Sequence, residues 1–597
     1  MKRRSLLALA GAVPFLPMTG ANAAAVRRVR PGDPAWPVAS SWERLNQDVG
    51  GRLIKLHSPL DVCMGAPSAA CDGFFKELKN PYAIGDSPVL TQTTGWAGAW
   101  SSAPSAYAVA ARTTRDVVAA VNFARENNLR LVVKGGGHSY QGTSNAADSL
   151  MIWTRAMNDI ALHDAFVARG CEGKQAPQQA VTVGAGAIWM HTYDAVTTKG
   201  GRYVQGGGCA TVGVAGLIQS GGFGSFSKNY GMAAAGLLEA EIVTADGVAR
   251  TVNACTDPDL FWGLKGGGGG SLGVVTRLTL RTRELPEFFG AVFATIRATS
   301  NAAFRRLIGR LVGFYAESLC NPHWGEQIAF RPNNTIMIAM LSQGLGKSEA
   351  EAVWRPLLDW IASAPRDFTI TSAPAIPSVP ARHFWDPALL RKAPGVVLSD
   401  DRPGAPEDNV FWASNLGEAG FFLYAYQSAW LPAALLRKEQ REHLADALFA
   451  SSRHWQTMLH FNKGLAGAPA EAVAAARDTA MNPAVLDAFA LAIIAAAGPP
   501  AYPRVPGHEP DLAVARREAA SVERAMNELR KLVPDAGSYV SESDFFDARW
   551  QQSFWGANYP RLLAVKQRYD PDGLFFVHHG VGSEDWSADG FTRLAGR

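Results

Sequence analysis

Two stretches decide how this chain is read: KGGGHSYQG, Lys134–Gly142, and GGGCATVGVAGLIQSGGFG, Gly206–Gly224. Each glycine run places one nucleophilic side chain, His138 or Cys209, where backbone can approach a bound group closely. Glycine permits φ > 0 and removes the side chain that would block such an approach. Successive N–H groups in turns of this kind form a concave anion site. Gly135, Gly136 and Gly137 free their N–H groups to wrap a pyrophosphate, and Ser139 adds a hydroxyl donor. A histidine and a cysteine beside one phosphate-bearing cofactor point to two covalent anchors. For Cys209 the expected state is a thiolate stabilised by the surrounding N–H dipoles.

Two commoner phosphate sites are excluded. Val183-Gly184-Ala185-Gly186 begins a dinucleotide fingerprint, but Trp189 stands where its last glycine belongs and no acidic ribose ligand follows. The stretch reads as a tight strand-to-helix turn. A P-loop needs G-K-[ST] after the glycines, and none follows Lys134–Gly142.

Two further blocks follow in order: WGLKGGGGGSLGVVTRLTLRT, Trp262–Thr282, and FWGANYPRLLAVKQRYDPDGLFFVHHGVGSE, Phe554–Glu584. Together the four blocks resemble the berberine bridge enzyme-like branch of FAD-linked oxidases, within the vanillyl-alcohol oxidase superfamily. The resemblance implies a bicovalent FAD, with His138 on the flavin 8α-methyl and Cys209 on flavin C6. It implies further flavin contacts at Gly208, Val212, Gly213, Gly216, Gly221, Gly222, Val275 and Asn558. A valine at 212 goes with access of dioxygen to the reduced flavin in that family, which favours an oxidase. Phe223 replaces the tyrosine of many plant members, so any role of that hydroxyl is absent or supplied elsewhere. The implied fold is α+β: a two-part FAD-binding domain with an antiparallel-sheet substrate domain inserted before a C-terminal flavin-domain segment.

The resemblance also places a catalytic base. Many relatives carry Y-x-N-Y here, the second tyrosine acting as base; this chain has Tyr539-Val540-Ser541-Glu542. Tyr539 is kept and Glu542 stands at the base position, where a partly buried carboxylate can be tuned for the task. The alternative for Glu542 is a solvated loop acid. Tyr424, Tyr426, His460 and Asn462 fall on expected substrate-sheet strands and either line the pocket or pack in the core.

The 597 residues imply more than one folding unit, and 18% charged with 47% hydrophobic residues reads as globular. A dispersed net charge of +4 gives no sign of a nucleic-acid partner. Residues 1–24 read as a signal peptide, with Arg3 and Arg4 before an apolar run as in twin-arginine export, implying a bacterial protein sent to the periplasm or outside. No later run is long enough for a membrane helix, and Leu486–Gly498 reads as a core helix. Residues 25–105 form an N-terminal extension, 106–285 the FAD-binding domain, 286–530 the substrate domain and 531–597 a segment completing the FAD domain. Of six cysteines, Cys63 and Cys71 are the best candidate disulfide, while Cys255 and Cys320 read as buried thiols, with a pair between them left open. No cysteine–histidine spacing suits zinc, so no metal is expected.

The resulting expectation is an FAD oxidase. A C–H beside a hydroxyl, in an alcohol, hydroxylated aromatic or sugar, gives hydride to flavin N5, a side-chain base takes the hydroxyl proton, and dioxygen becomes hydrogen peroxide. Two alternatives stand: a dehydrogenase passing electrons to a quinone or protein, and a redox-inactive flavin-binding protein.

Overall fold

The computed structural model describes residues 27–65 and 68–594, and all counts are of those residues. The signal-like residues 1–24 lie outside them. The chain builds three principal sheets in an α+β arrangement. A four-stranded sheet runs in the order Leu53–Lys55, Tyr107–Ala110, Leu150–Trp153, Leu131–Lys134, its last three strands parallel. The Thr114–Glu126 helix is the crossover from Tyr107–Ala110 to Leu131–Lys134, the two strands that flank Leu150–Trp153. Thr113 and Asp116 form a capping box at its start. Its Val117, Ala120, Val121 and Ala124 are buried at helical spacing against Leu131, Leu150 and Ile152.

The second sheet is antiparallel, with the Val274–Glu284 strand between Leu237–Val243 and Gln178–Gly184. Leu237–Val243 and Ala249–Asn253 make the hairpin that Asp246-Gly247 announces, with Gly247 at φ 76°. Cys171 and Cys255 form a disulfide that ties two turns beside this sheet, in addition to Cys63–Cys71. The reading of Cys255 as a free thiol is thereby corrected; Cys320 is free.

The third sheet has ten strands, in the order Phe368–Ala375, Phe288–Ala298, Thr335–Gln343, Trp324–Arg331, Thr457–His460, Ala488–Gly498, Phe421–Pro432, Thr93–Trp96, Trp100–Ser101, with Ser378–Pro380 on its flank. Helices Asn301–Phe314, Lys347–Ala362, Arg441–His454 and Leu512–Arg530 cover one face and bury a large apolar core. The opposite face, with Trp430, Leu491 and Ile493, packs on Phe223, Met232 and Met481 of the cofactor-side loops. The expected helix over Leu486–Gly498 is a strand instead. It lies at the centre of the sheet, buried on both faces, and such strands read as unbroken apolar runs. The alanines suit it because Phe422–Pro432 pairs closely along its length.

Candidate active site

The Leu131–Lys134 strand ends in the first glycine run, and that run lies backbone to backbone against the second. A Cβ built on Gly136 would stand 2.9 Å from both Gly213 N and Thr211 O, so only glycine fits there. Across the same contact His138 Nε2 meets Thr211 Oγ1 at 2.9 Å, two residues beyond Cys209. The two runs that carry the expected anchors are thus in direct contact. Burial pulls His138 down to about 4, so its ring is neutral at pH 7. With Nε2 committed to Thr211, Nδ1 makes no hydrogen bond among the described residues.

The N–H groups of Gly135, Gly136, Gly137, His138 and Ser139 donate to no acceptor among the described residues, although Gly136 and Gly137 are buried. Buried N–H groups are nearly always paired, so the unpaired N–H groups of Gly136 and Gly137, flanked by three more, suit an anionic guest. An FAD pyrophosphate fits them. Below this run Lys134 is buried and gives its ammonium to Ser87 O at 2.7 Å and to Leu90 O, which fixes the turn from beneath. Ser139 Oγ accepts from Gln141 N and Thr143 N, so it organises its own turn while its proton stays available.

The other expected contacts divide. Gly208 is exposed and Cys209 half-buried. Gly213 caps the short Val214–Gln219 helix, on which Gly216 is exposed. Val212 packs at the edge of the core, and Val275 is buried within the Val274–Glu284 strand. Gly221 and Gly222 take left-handed turns that pack on Met481 and Leu217. Asn558 acts through a neighbour: its amide donates to Met481 O at 2.7 Å, holding the residue that abuts Gly221.

On the sheet side the structure gathers a charged cluster. Lys463 Nζ meets both carboxylate oxygens of Glu542, at 2.6 and 2.5 Å, with both side chains mostly buried. Glu542 is thus an ion-paired carboxylate and not a solvated loop acid. Glu326 and Glu418 complete the cluster, and burial raises the proton affinity of both. Glu326 has φ 69°, a rare conformation for a residue with a side chain, within the Trp324–Arg331 strand. Its carboxylate accepts from Ser225 Oγ at 2.5 Å and lies 3.9 Å from the position of a Cβ on Gly208. Asn462 Nδ2 reaches the same oxygen at 3.4 Å, and the ring of His460 is held neutral by burial and by Lys463. Tyr140 O–H donates to Glu418 at 3.4 Å and its ring lies 5.2 Å from that of Tyr426.

This setting corrects the expected Cys209 thiolate. Burial, then Glu418, Glu326 and Glu542, hold the thiol well above the usual range, with only Lys463 opposing. Tyr424 is corrected too. A bulge in the Phe421–Pro432 strand between Leu423 and Ala425 reverses the alternation, so Tyr424 joins the helix-side core while Tyr426 faces Tyr140 and Cys209. Tyr539 is buried beside Phe223, ring centroids 5.1 Å apart.

Sequence reasoning missed Lys463, Glu326, Glu418 and Asn415. A charged residue inside the apolar strand WGEQIAF was the visible signal for Glu326; the others carry no local motif.

Residues 104–253 match the family model described as an FAD binding domain, and residues 538–582 match the one described as berberine and berberine like. The VAO-type flavoprotein oxidase VAO615 of Thermothelomyces thermophilus is 30% identical over 619 residues, covering 98% of each chain. The crystal structure of the VAO-type flavoprotein MtVAO615 from Myceliophthora thermophila C1 superposes with TM-score 0.76 at 25% identity, over 95% of this chain and 100% of that one. The glucooligosaccharide oxidase of Acremonium strictum, described as carrying a 6-S-cysteinyl, 8α-N1-histidyl FAD, shares the fold with TM-score 0.63 at 18% identity, over 90% of this chain and 99% of that one. The expectation of a bacterial source is corrected by these relatives, which are fungal, as are the FAD-linked oxidoreductases of Arthroderma benhamiae and Gibberella zeae that match along nearly the whole chain. An FAD-binding fold carried end to end by a flavoprotein oxidase and by FAD-linked oxidoreductases places the chain among FAD-linked oxidoreductases, and it belongs to the berberine bridge enzyme-like family of VAO-type flavoproteins.

Proposed function

We propose that the chain is a bicovalent FAD oxidase of CH–OH donors, with residues 106–285 and 531–597 forming the flavin side and 286–530 the substrate side. The observation that carries this is the direct contact of the two loops bearing His138 and Cys209, at Gly136–Gly213 and His138–Thr211, with Lys463 and Glu542 close enough to act on Cys209. His138 and Cys209 would hold the flavin and the residue 135–139 N–H groups its pyrophosphate. The free Nδ1 of His138 agrees with the N1-histidyl bond described for the Acremonium strictum enzyme. Bound FAD supplies the acceptor for two electrons from the substrate carbon.

The chain's own residues handle the proton. Glu542 takes it from the substrate hydroxyl, using lone pairs that do not face Lys463. Lys463 keeps that carboxylate oriented, which is where positioning gains most of its effect. Tyr426 and Tyr140 give the substrate an aromatic wall. A second base assignment, Glu418, is favoured by its raised proton affinity and its link to Tyr140. Glu542→Gln and Glu418→Gln separate the two, because only loss of the true base abolishes substrate-driven flavin reduction. Val212 beside the cofactor loop supports dioxygen as acceptor.

The test is an anaerobic panel of alcohols, hydroxylated aromatics and sugars scored by loss of flavin absorbance, followed by mixing with dioxygen. Bleaching by at least one donor and rapid reoxidation with hydrogen peroxide are expected. Slow reoxidation would point to a dehydrogenase, and failure of every donor to bleach the flavin would overturn the proposal.

A further inference from the structure

The surroundings of Cys209 pose a chemical difficulty. A thiol bonds to an electrophilic ring carbon as its thiolate. Burial and the carboxylates of Glu418, Glu326 and Glu542 all disfavour that anion, and the nearest opposing charge, Lys463, is bound to Glu542 by both oxygens. One neutral donor addresses the sulfur. Asn415 Nδ2 lies 3.5 Å from Cys209 Sγ, the one hydrogen bond to that sulfur among the described residues.

The orientation of this amide is set independently of the sulfur. Asn415 Oδ1 accepts the backbone N–H of Ala210 at 3.4 Å. A donor on that side requires the oxygen there, so the NH2 end must face Cys209. Asn415 is therefore held by the cofactor loop itself. It comes from the short turn Ala413–Gly417, which also leads into Glu418, so one segment carries both the donor and an acid that acts on the thiol.

We infer that Asn415 is the positioning residue that enables the Cys209–flavin bond, by donating its amide N–H to the developing thiolate and fixing Sγ toward the ring. This rests on the bicovalent reading proposed above. In balance, the S–H bond of Cys209 and one ring C–H bond break and one S–C bond forms. The two electrons and two protons released pass to dioxygen, giving one hydrogen peroxide. Asn415 is unchanged by the step and contributes only the hydrogen bond, which is stronger to a charged acceptor than to a neutral thiol.

Two variants test this. Asn415→Asp keeps the acceptor for Ala210 N–H and replaces the donor with a carboxylate. Asn415→Ser keeps a smaller donor. Protein is purified with its flavin, denatured, alkylated with iodoacetamide and digested, and the Tyr203–Lys228 peptide is measured by mass for free against flavin-linked Cys209. The wild-type peptide should be almost wholly linked. The linked fraction should fall about tenfold or more in Asn415→Asp and by less in Asn415→Ser. The His138 peptide should keep its flavin in both variants, which shows that the site has folded. Full linkage in Asn415→Asp overturns the inference and leaves the bicovalent reading standing. Loss of Cys209 linkage that only follows loss of His138-linked flavin and of thermal stability overturns it as well. Free Cys209 in the wild-type protein overturns the reading and the inference together.

Discussion

Replacing Gly136 by alanine should damage the protein far more than the same change one residue earlier. The added Cβ would meet Gly213 N and Thr211 O, each at 2.9 Å. Ordinary contact is about 3.5 Å, so the two loops must part by roughly 0.6 Å. Both obstructing atoms are backbone, so no side-chain rotation relieves the contact. Overpacking of this kind costs about 1–3 kcal/mol. Parting the loops also strains the 2.9 Å contact of His138 with Thr211, which adds about 1 kcal/mol. At Gly135 the corresponding Cβ meets Ala185 O at 3.4 Å and Thr154 Oγ1 at 3.7 Å, which is ordinary contact, and its φ is not left-handed. Urea denaturation of the two variants, with flavin per protein measured by absorbance, compares them directly. Gly136→Ala should lose about 2–4 kcal/mol and most of its flavin, while Gly135→Ala stays within about 1 kcal/mol of wild type. Equal stability and equal flavin content in the two variants would refute the argument that loop-to-loop contact at Gly136 aligns the anchors.

Three further outcomes are expected. Lys463→Met strands Glu542 beside two other carboxyls and should cost about 3–5 kcal/mol, while Lys463→Met/Glu542→Gln together should cost clearly less; additive losses in the double mutant cycle would contradict the pairing. Burial raises Glu326 above its ordinary 4.5, so the folded state holds this proton more tightly than the unfolded state does, and stability falls as pH rises from 4.5 through the raised value. The melting temperature of Glu326→Gln relative to wild type should therefore climb as pH rises above 4.5, and a difference independent of pH would rule this out. Tyr424→Phe should leave flavin reduction by substrate within about twofold of wild type, since its ring packs on the helix side, whereas Tyr426→Ala, which removes part of the aromatic wall, should slow it about tenfold or more; the reverse order would contradict the faces that the bulge sets.

The cofactor half of the molecule was legible because its chemistry is local. The glycine runs, the Thr114–Glu126 helix and the Asp246-Gly247 hairpin each carry their own instructions within a few residues. The sheet half was less so. Ala488–Gly498 has the composition of a helix and becomes a strand only because neighbours cover both its faces. Tyr424 and Tyr426 share a face by strict alternation, and a single bulged residue separates them. Lys463 reaches Glu542 because Thr457–His460 pairs with Trp324–Arg331 on one side and Ala488–Gly498 on the other, joining segments far apart in the chain. Such a cluster leaves no motif at any one place.

The central claim is that one flavin is bonded to both His138 and Cys209. Trypsin should cut after Lys134 and Arg155, and after Arg202 and Lys228. Mass analysis of the denatured, digested protein should yield a single species in which the Gly135–Arg155 and Tyr203–Lys228 peptides are joined through a flavin. Recovery of both peptides unmodified, with all flavin released on denaturation, would contradict the account.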